Sequence, residues 1–331
     1  MQNRIVLNGK GKSAVVSARQ FAKNNIMVMI ALCLLIICSL ASDKFLTVSN
    51  LLQIMKQNCV IGVLAVGECI AIISGGVDSS LSYIMCTCLM VMGRVQGLPM
   101  PVIILVALVV GFALGTVSGV AVAHYNVVPF IATMAMATIT EGLALIVNRG
   151  RPIYWNTGEH DTFIKVMGSG SIGPVPNLVI AFVILVIIGQ FVLKRTRLGF
   201  SWRAIGGNSQ AAYWSGVKSK RFTMLAYSCS GMMAGLAAVF MLARTGSSEP
   251  TAGITGTTDA MAAAVLGGTF IGGKGTGSIA GALLGAFMLG MINNIFNLIG
   301  FSSYSQYVAK GIILIIAVVI GSKSVTSSIQ K

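Results

Sequence analysis

Val102-Ile-Ile-Leu-Val-Ala-Leu-Val-Val-Gly-Phe-Ala-Leu-Gly-Thr-Val-Ser-Gly-Val-Ala-Val-Ala123 runs without a single charged residue. As a helix rising about 1.5 Å per residue it is long enough to cross a hydrocarbon core of about 30 Å. The run lacks the every-second-residue alternation of a barrel strand, and so does Leu178–Leu193, so both predict helices. In lipid an unpaired backbone group is too costly for any other open structure.

The rest of the chain has the same character. Its 331 residues are 55% hydrophobic and only 9% charged, far too few charges to coat a soluble globule, where they make up about a quarter. The fold class is therefore all-α, a polytopic transmembrane helical bundle. Ten spans are predicted, at about 26–42, 51–74, 80–97, 101–123, 128–148, 177–193, 222–243, 259–272, 278–298 and 306–321. The segments 80–97 and 259–272 are short or glycine-interrupted, so half-helices are an alternative there and the span count could run from nine to eleven.

The formal charge of +15 would suggest nucleic acid in a soluble protein, but its distribution argues for membrane orientation. Arg4, Lys10, Lys12, Arg19 and Lys23 lie in the N-terminal tail, and Lys194, Arg195, Arg197, Arg203, Lys218, Lys220 and Arg221 in one interruption. With ten spans, fifteen Lys and Arg fall inside and six outside, Lys56 and Lys310 lying within spans. By the positive-inside rule both termini are cytoplasmic. The expected organisation is a cytoplasmic tail at 1–25, one transmembrane domain at 26–321 with a cytoplasmic segment at 194–221, and a cytoplasmic tail at 322–331. Basic residues followed by the run Ile26–Ala41 could also be a secretory signal; an uncleaved first span is preferred.

Metal and disulfide chemistry find no support. The seven cysteines lie inside apolar runs with no C-x-x-C pair, and His124 and His160 are far apart. Gly268-x4-Gly273-Lys274 approaches a phosphate-binding loop, but Gly275 stands where the motif needs a magnesium-holding Ser or Thr. Gly275-x-Gly277-x-x-Ala280 imitates a dinucleotide fingerprint without its strand. Both read as a tight glycine turn between helices, so the chain has no nucleotide-hydrolysing site of its own. Small residues at helical spacing, Gly111/Gly115/Gly119, Gly231/Gly235 and Gly277/Gly281/Gly285, predict close helix packing within the chain, with a dimer seam as the alternative.

Buried charge in a bilayer costs several kcal/mol, so Glu68, Asp78, Glu141 and Asp259, in or beside spans, are candidates for facing a polar cavity, with structural pairing or helix capping as the alternative for each. Ser79 adjoins them, and Asp78 also reads as a cap for the next helix. Asn293, Asn294 and Asn297 offer amides to neighbouring helices or to a hydroxylated ligand. In the basic interruption, Asn208 or Ser209 caps a short helix through Ala211, Ala212 and Tyr213 that ends near Gly216, with glycines flanking it as flexible joints.

Several of these motifs together resemble the permease subunits of bacterial ATP-driven sugar importers of the ribose, xylose, arabinose and galactoside type. The resemblance is carried by Gly62-Val-Leu-Ala-Val-Gly67, Ser74-Gly-Gly-Val-Asp78, Ala204-Ile-Gly-Gly-Asn208 within Arg197–Gly216, Ala264-Val-Leu-Gly-Gly-Thr269 with Gly272-Gly-Lys-Gly275, and Ser302-Ser-Tyr304. It spans about Phe45 to Gly321. Departures fall at Glu68-Cys69, where the pattern commonly has Met-Thr, and at Ser79-Ser80-Leu81-Ser82, where it has Leu-Ser-Val-Gly.

The resemblance implies a subunit of the bacterial inner membrane that binds no cofactor itself and is no enzyme. Its implied partners are an ATP-binding cassette ATPase using ATP and magnesium, a periplasmic or lipoprotein sugar-binding protein, and a second permease copy, in membrane lipid and without nucleic acid. It makes Arg203, Ala204, Gly206, Gly207, Asn208, Ala211, Ala212, Ser215 and Gly216 the segment coupled to the ATPase. The expected cargo is a monosaccharide or related polyol, with nucleosides or branched-chain amino acids as alternatives. An ion-coupled secondary transporter using Glu68, Glu141 or Asp259 is a competing reading, and an integral membrane enzyme a weaker one.

Overall fold

The computed structural model describes residues 26–155, 161–270, 272, 275–302, 304–309, 311, 312 and 315. The chain runs α1 (Ile26–Ala41), α2 (Val48–Ile73), α3 (Leu81–Arg94), α4 (Met100–Tyr125), α5 (Pro129–Val147) and β1 (Ile153–Tyr154). A helical turn at Asp161–Phe163 passes into a π-helix at Ile164–Ser169, then β2 (Ser171–Ile172) and β3 (Val175–Pro176). There follow α6 (Asn177–Arg195), α7 (Arg197–Gly207), α8 (Ser209–Trp214), α9 (Ser219–Thr245), β4 (Ser247–Ser248), α10 (Gly256–Leu266) and α11 (Ile279–Leu298). The tails at 1–25 and 322–331, Lys274 and most of the expected span 306–321 lie outside the described residues.

Local chemistry sets many of the helix ends. Thr47 caps α2 by accepting from the Asn50 amide, Pro101 and Pro129 occupy the first turns of α4 and α5, and Gly246 closes α9 with φ +67°. Among the described residues six helices, α2, α4, α5, α6, α9 and α11, are long and apolar enough to cross a membrane. The 14 residues of α3 and 11 of α10 make rods of about 21 and 16 Å, short of a full crossing. Two segments predicted as spans are therefore partial helices, and the Ser82 amide of α3 donates to Thr257 Oγ1 of α10 at 2.9 Å.

The centre of the bundle is formed by α2, α3 and α9, buried along most of their length, while α4, α5 and α6 turn Leu105, Val109, Ile131, Ile139, Ile187 and Phe191 outward. An outward apolar surface is what lipid accommodates. Packing between α4 and α9 is backbone on backbone: a Cβ on Gly111 would strike the Gly231 carbonyl, and one on Gly231 would strike that of Gly111. Gly281 and Gly285 of α11 meet the carbonyls of Gly267, just past α10, and Ala263, within it, in the same way. The glycine ridges thus serve contacts within the chain.

The described residues of the segment 149–176 hold short strands and the π-helix. β1 pairs antiparallel with β4, Ile153 opposite Ser248, and the buried Trp155 donates Nε1–H to Ser248 Oγ at 2.9 Å. All seven cysteines are free, Cys33 being exposed.

Candidate functional site

At one end of the bundle α7 joins two helix breaks. Its Trp202 is buried and donates Nε1–H to the Phe222 carbonyl at 3.0 Å, which fixes α7 to the start of α9. Gly206 lies on the Ile73 carbonyl, the last of α2, with no room for a Cβ. The Arg203 guanidinium donates to the Gly275 carbonyl at 3.3 Å and to that of Gly277 at 2.8 Å, in the turn before α11. Gly275 has φ +60°, and a Cβ there would strike the Arg203 carbonyl.

The glycines read as flexible joints thus have another reason. Arg197–Gly207 is itself a helix, and Gly199 and Gly206 are small because the Leu193 and Ile73 carbonyls press against them. The short helix expected beyond it is present as α8. Asn208 Oδ1 accepts from the Gln210 and Ala211 amides at 3.1 and 2.9 Å, and Gly216 follows with φ +84°.

Gly207, Asn208, Ala211, Ser215 and Gly216 are exposed, Ala212 is buried under α8, and Arg203 and Ala204 are half-buried. Tyr213 and Trp214 form an edge-to-face pair with centroids 5.7 Å apart and are 64% and 78% exposed. Beside them opens a groove of about 1070 Å³ lined by Ser74, Gly75, Asn208, Lys218 and Arg221 among others. Two large exposed aromatics on a polar, basic surface are the composition of a protein-docking patch.

A second polar site is enclosed within the bundle where α2 breaks. Past the turn at Ser74 and Gly75 the chain is irregular from Gly76 to Asp78 before α3 begins. Glu68, Asp78 and Ser80 are wholly buried. Asp78 Oδ1 accepts from the Ser80 amide at 3.1 Å and from its hydroxyl at 2.5 Å, and Oδ2 accepts from Ser230 Oγ of α9 at 2.8 Å. The Asp78 amide donates to Glu68 Oε1 at 3.4 Å, while Glu68 Oε2 has no partner. Asp78 therefore ties the turn before α3 to α9 rather than capping the first helical residues, the N-cap position being Ser80. Ser79 lies buried alongside.

A third site lies toward the far end of α2, near the C-termini of α9 and α11. Gln53, Lys56, Gln57 and Asn58 line a pocket of about 460 Å³ together with Arg244 and Asn293. Arg244 donates to the Gln57 carbonyl at 2.9 Å, and Asn293 Oδ1 is buried without a partner. No carboxylate lines it. Of these residues only Asn293 was a sequence candidate. The missed signal was a polar stripe at i, i+3 and i+4, Gln53, Lys56 and Gln57, inside a helix long enough to span.

The remaining candidates are not gathered into one site. Asn294 exchanges two amide hydrogen bonds with Asn50, at 2.8 and 2.9 Å, and Asn297 Oδ1 accepts from Gln306 at 2.9 Å. Glu141 is half-buried on α5, and Asp259 is half-buried in the first turn of α10. Among the described residues no group of His, Cys, Asp and Glu could hold a metal ion. In the glycine turn Gly268, Gly275 and Gly277 all have positive φ, whereas Gly273 and Lys274 lie outside the described residues.

Comparison with known proteins follows the same lines. Residues 50–318 match the family described as branched-chain amino acid transport system / permease component. The ribose import permease protein of Escherichia coli K12 is 36% identical over 298 residues, 89% of this chain and 92% of the relative. That of Bacillus subtilis 168 is 36% identical over 88% of this chain and 90% of the relative. The D-allose transport system permease protein of Escherichia coli K12 is 35% identical over 88% of each. No solved structure matches the chain.

Proposed function

Since the chain belongs to the family of branched-chain amino acid transport system permease components, we propose that it is the membrane subunit of an ATP-driven importer for a monosaccharide or related polyol. The relatives named for ribose and allose support a sugar over an amino acid. ATP hydrolysis belongs to a separate ATPase subunit, and a binding protein delivers the solute. The chain forms no covalent intermediate; its work is to exchange one packing of helices for another.

The observation that carries this reading is the seating of α7 on two helix breaks at once, through Gly206 on Ile73 and Arg203 on Gly275 and Gly277. A force applied to α8 by an ATPase reaches the end of α2 through the backbone contact at Gly206, and the α10–α11 turn through the contact of Gly275 with the Arg203 carbonyl and the guanidinium bonds. In this reading α7 and α8 face the cytoplasm, both termini lie inside, ten segments enter the bilayer, and a second permease copy completes the pathway. Asp78, Glu68 and Asn293 border the route between the faces, and Ala204–Gly216 is the coupling segment.

Replacing Gly207 or Ala211 with Trp tests it. Transport by the reconstituted complex and co-purification of the ATPase are both lost, while membrane insertion and the melting temperature of the variant stay as in the parent. A Trp variant that still binds the ATPase and transports refutes α8 as the coupling element.

A further inference from the structure

Lys56 and Arg244 stand in the same pocket with no carboxylate to answer them. Among the described residues Lys56 makes no hydrogen bond or ion pair, and Arg244 donates only to the Gln57 carbonyl and to the Met241 sulfur. A cation in a membrane-spanning helix is costly unless a counter-charge or water compensates it. The pocket also holds amides that donate and accept, and one of their oxygens, Asn293 Oδ1, is buried with its acceptor capacity unused. Its volume of about 460 Å³ admits a single sugar ring with a few waters.

We propose that this pocket binds the carboxylate form of a sugar, a sugar acid, with Lys56 and Arg244 holding the carboxylate and Gln53, Gln57, Asn58 and Asn293 reading the hydroxyls. Ring hydroxyls are both donors and acceptors, and so are the side-chain amides facing them. The two cations have no use for a neutral sugar, and neutral hydroxyls alone would leave them uncompensated. The proposal rests on the importer reading and narrows its cargo. It makes Lys56 the residue that determines specificity for charge, Arg244 being held also by the backbone of α2.

The test uses the full-length chain in phosphatidylcholine nanodiscs and three matched probes: D-glucuronate, its methyl ester and D-glucose. Saturable binding is read by saturation-transfer NMR. Glucuronate is expected to bind about tenfold more tightly than either neutral probe, the step a single charge-assisted contact supplies. Lys56→Gln removes that preference, Lys56→Arg keeps it, and Asn293→Ala weakens all three probes alike. Elution and melting temperature check that each variant is folded, and the Arg variant keeps the comparison meaningful should the Gln variant unfold.

Equal affinity for the three probes overturns the proposal, as does a glucuronate preference that Lys56→Gln leaves intact. So does loss of glucuronate binding when phosphatidylglycerol replaces phosphatidylcholine, for the anion would then be a lipid headgroup. The same discs mixed with the ATPase subunit separate the two levels of the argument. Assembly without charge preference sinks only the sugar-acid pocket; failure to assemble sinks the importer reading beneath it.

Discussion

Along α2, Glu68 and Lys56 stand about 18 Å apart and meet opposite surroundings. Around Glu68 and Asp78 the acids have no cation, yet Asp78 is engaged by Ser80, Ser230 and the local turn, and the space is closed. Around Lys56 and Arg244 the cations have no acid, and the space is open. In the closed cluster Asp78 is spent on fixing where α3 begins, and the one unused carboxylate oxygen, Glu68 Oε2, is sealed in. The open one leaves capacity over for something that arrives. A buried polar group therefore says little about transport until its partners are counted.

Changing Asp78 separates the two most sharply. Asp78→Ala leaves the Ser80 and Ser230 groups without their acceptor, a loss of about 3 kcal/mol, so folded protein and melting temperature fall together. Asp78→Asn keeps an acceptor for Ser80 and folds; near-normal transport then assigns the residue to structure, and lost transport in a folded variant assigns it to the route.

A smaller effect is expected at the Asn50–Asn294 pair. Either residue changed to Ala costs about 1 kcal/mol, and the double variant costs scarcely more than one alone, because the two bonds are mutual. Additive losses in a thermal-melt cycle would show that the pair is not coupled.

The least effect belongs to Glu68→Met. Glu68 accepts one long bond and leaves an oxygen unpartnered, so a side chain of similar shape without polar atoms holds or raises the melting temperature. A fall of several degrees would mean that Glu68 is a working part of the cluster, and the contrast with the open pocket would lose its basis.

Most of the helices were legible because lipid forces the issue: a run such as Val102–Ala123 has no other stable form. The cap at Asn208 was legible too, since an Asn ahead of Ala-rich sequence satisfies orphan amides. The helix α7 was not. Its glycines suggested hinges, and only the carbonyls of Leu193 and Ile73, distant or unpredicted neighbours, explain why a side chain is missing there. The open pocket was hidden for a similar reason: Lys56 and Arg244 lie far apart in sequence, and nothing in the sequence brings them together. The three asparagines of α11 looked equivalent by type and spacing, and their different fates depend on Asn50 and Gln306, which sequence does not bring near.

Where Gly111 rests against the Gly231 carbonyl, two main chains touch with nothing between them. Such a junction leaves no crevice for a water molecule, still less for a pyranose. The α4–α9 junction is a sealed wall, and any corridor beside α9 has only its other flank to run along.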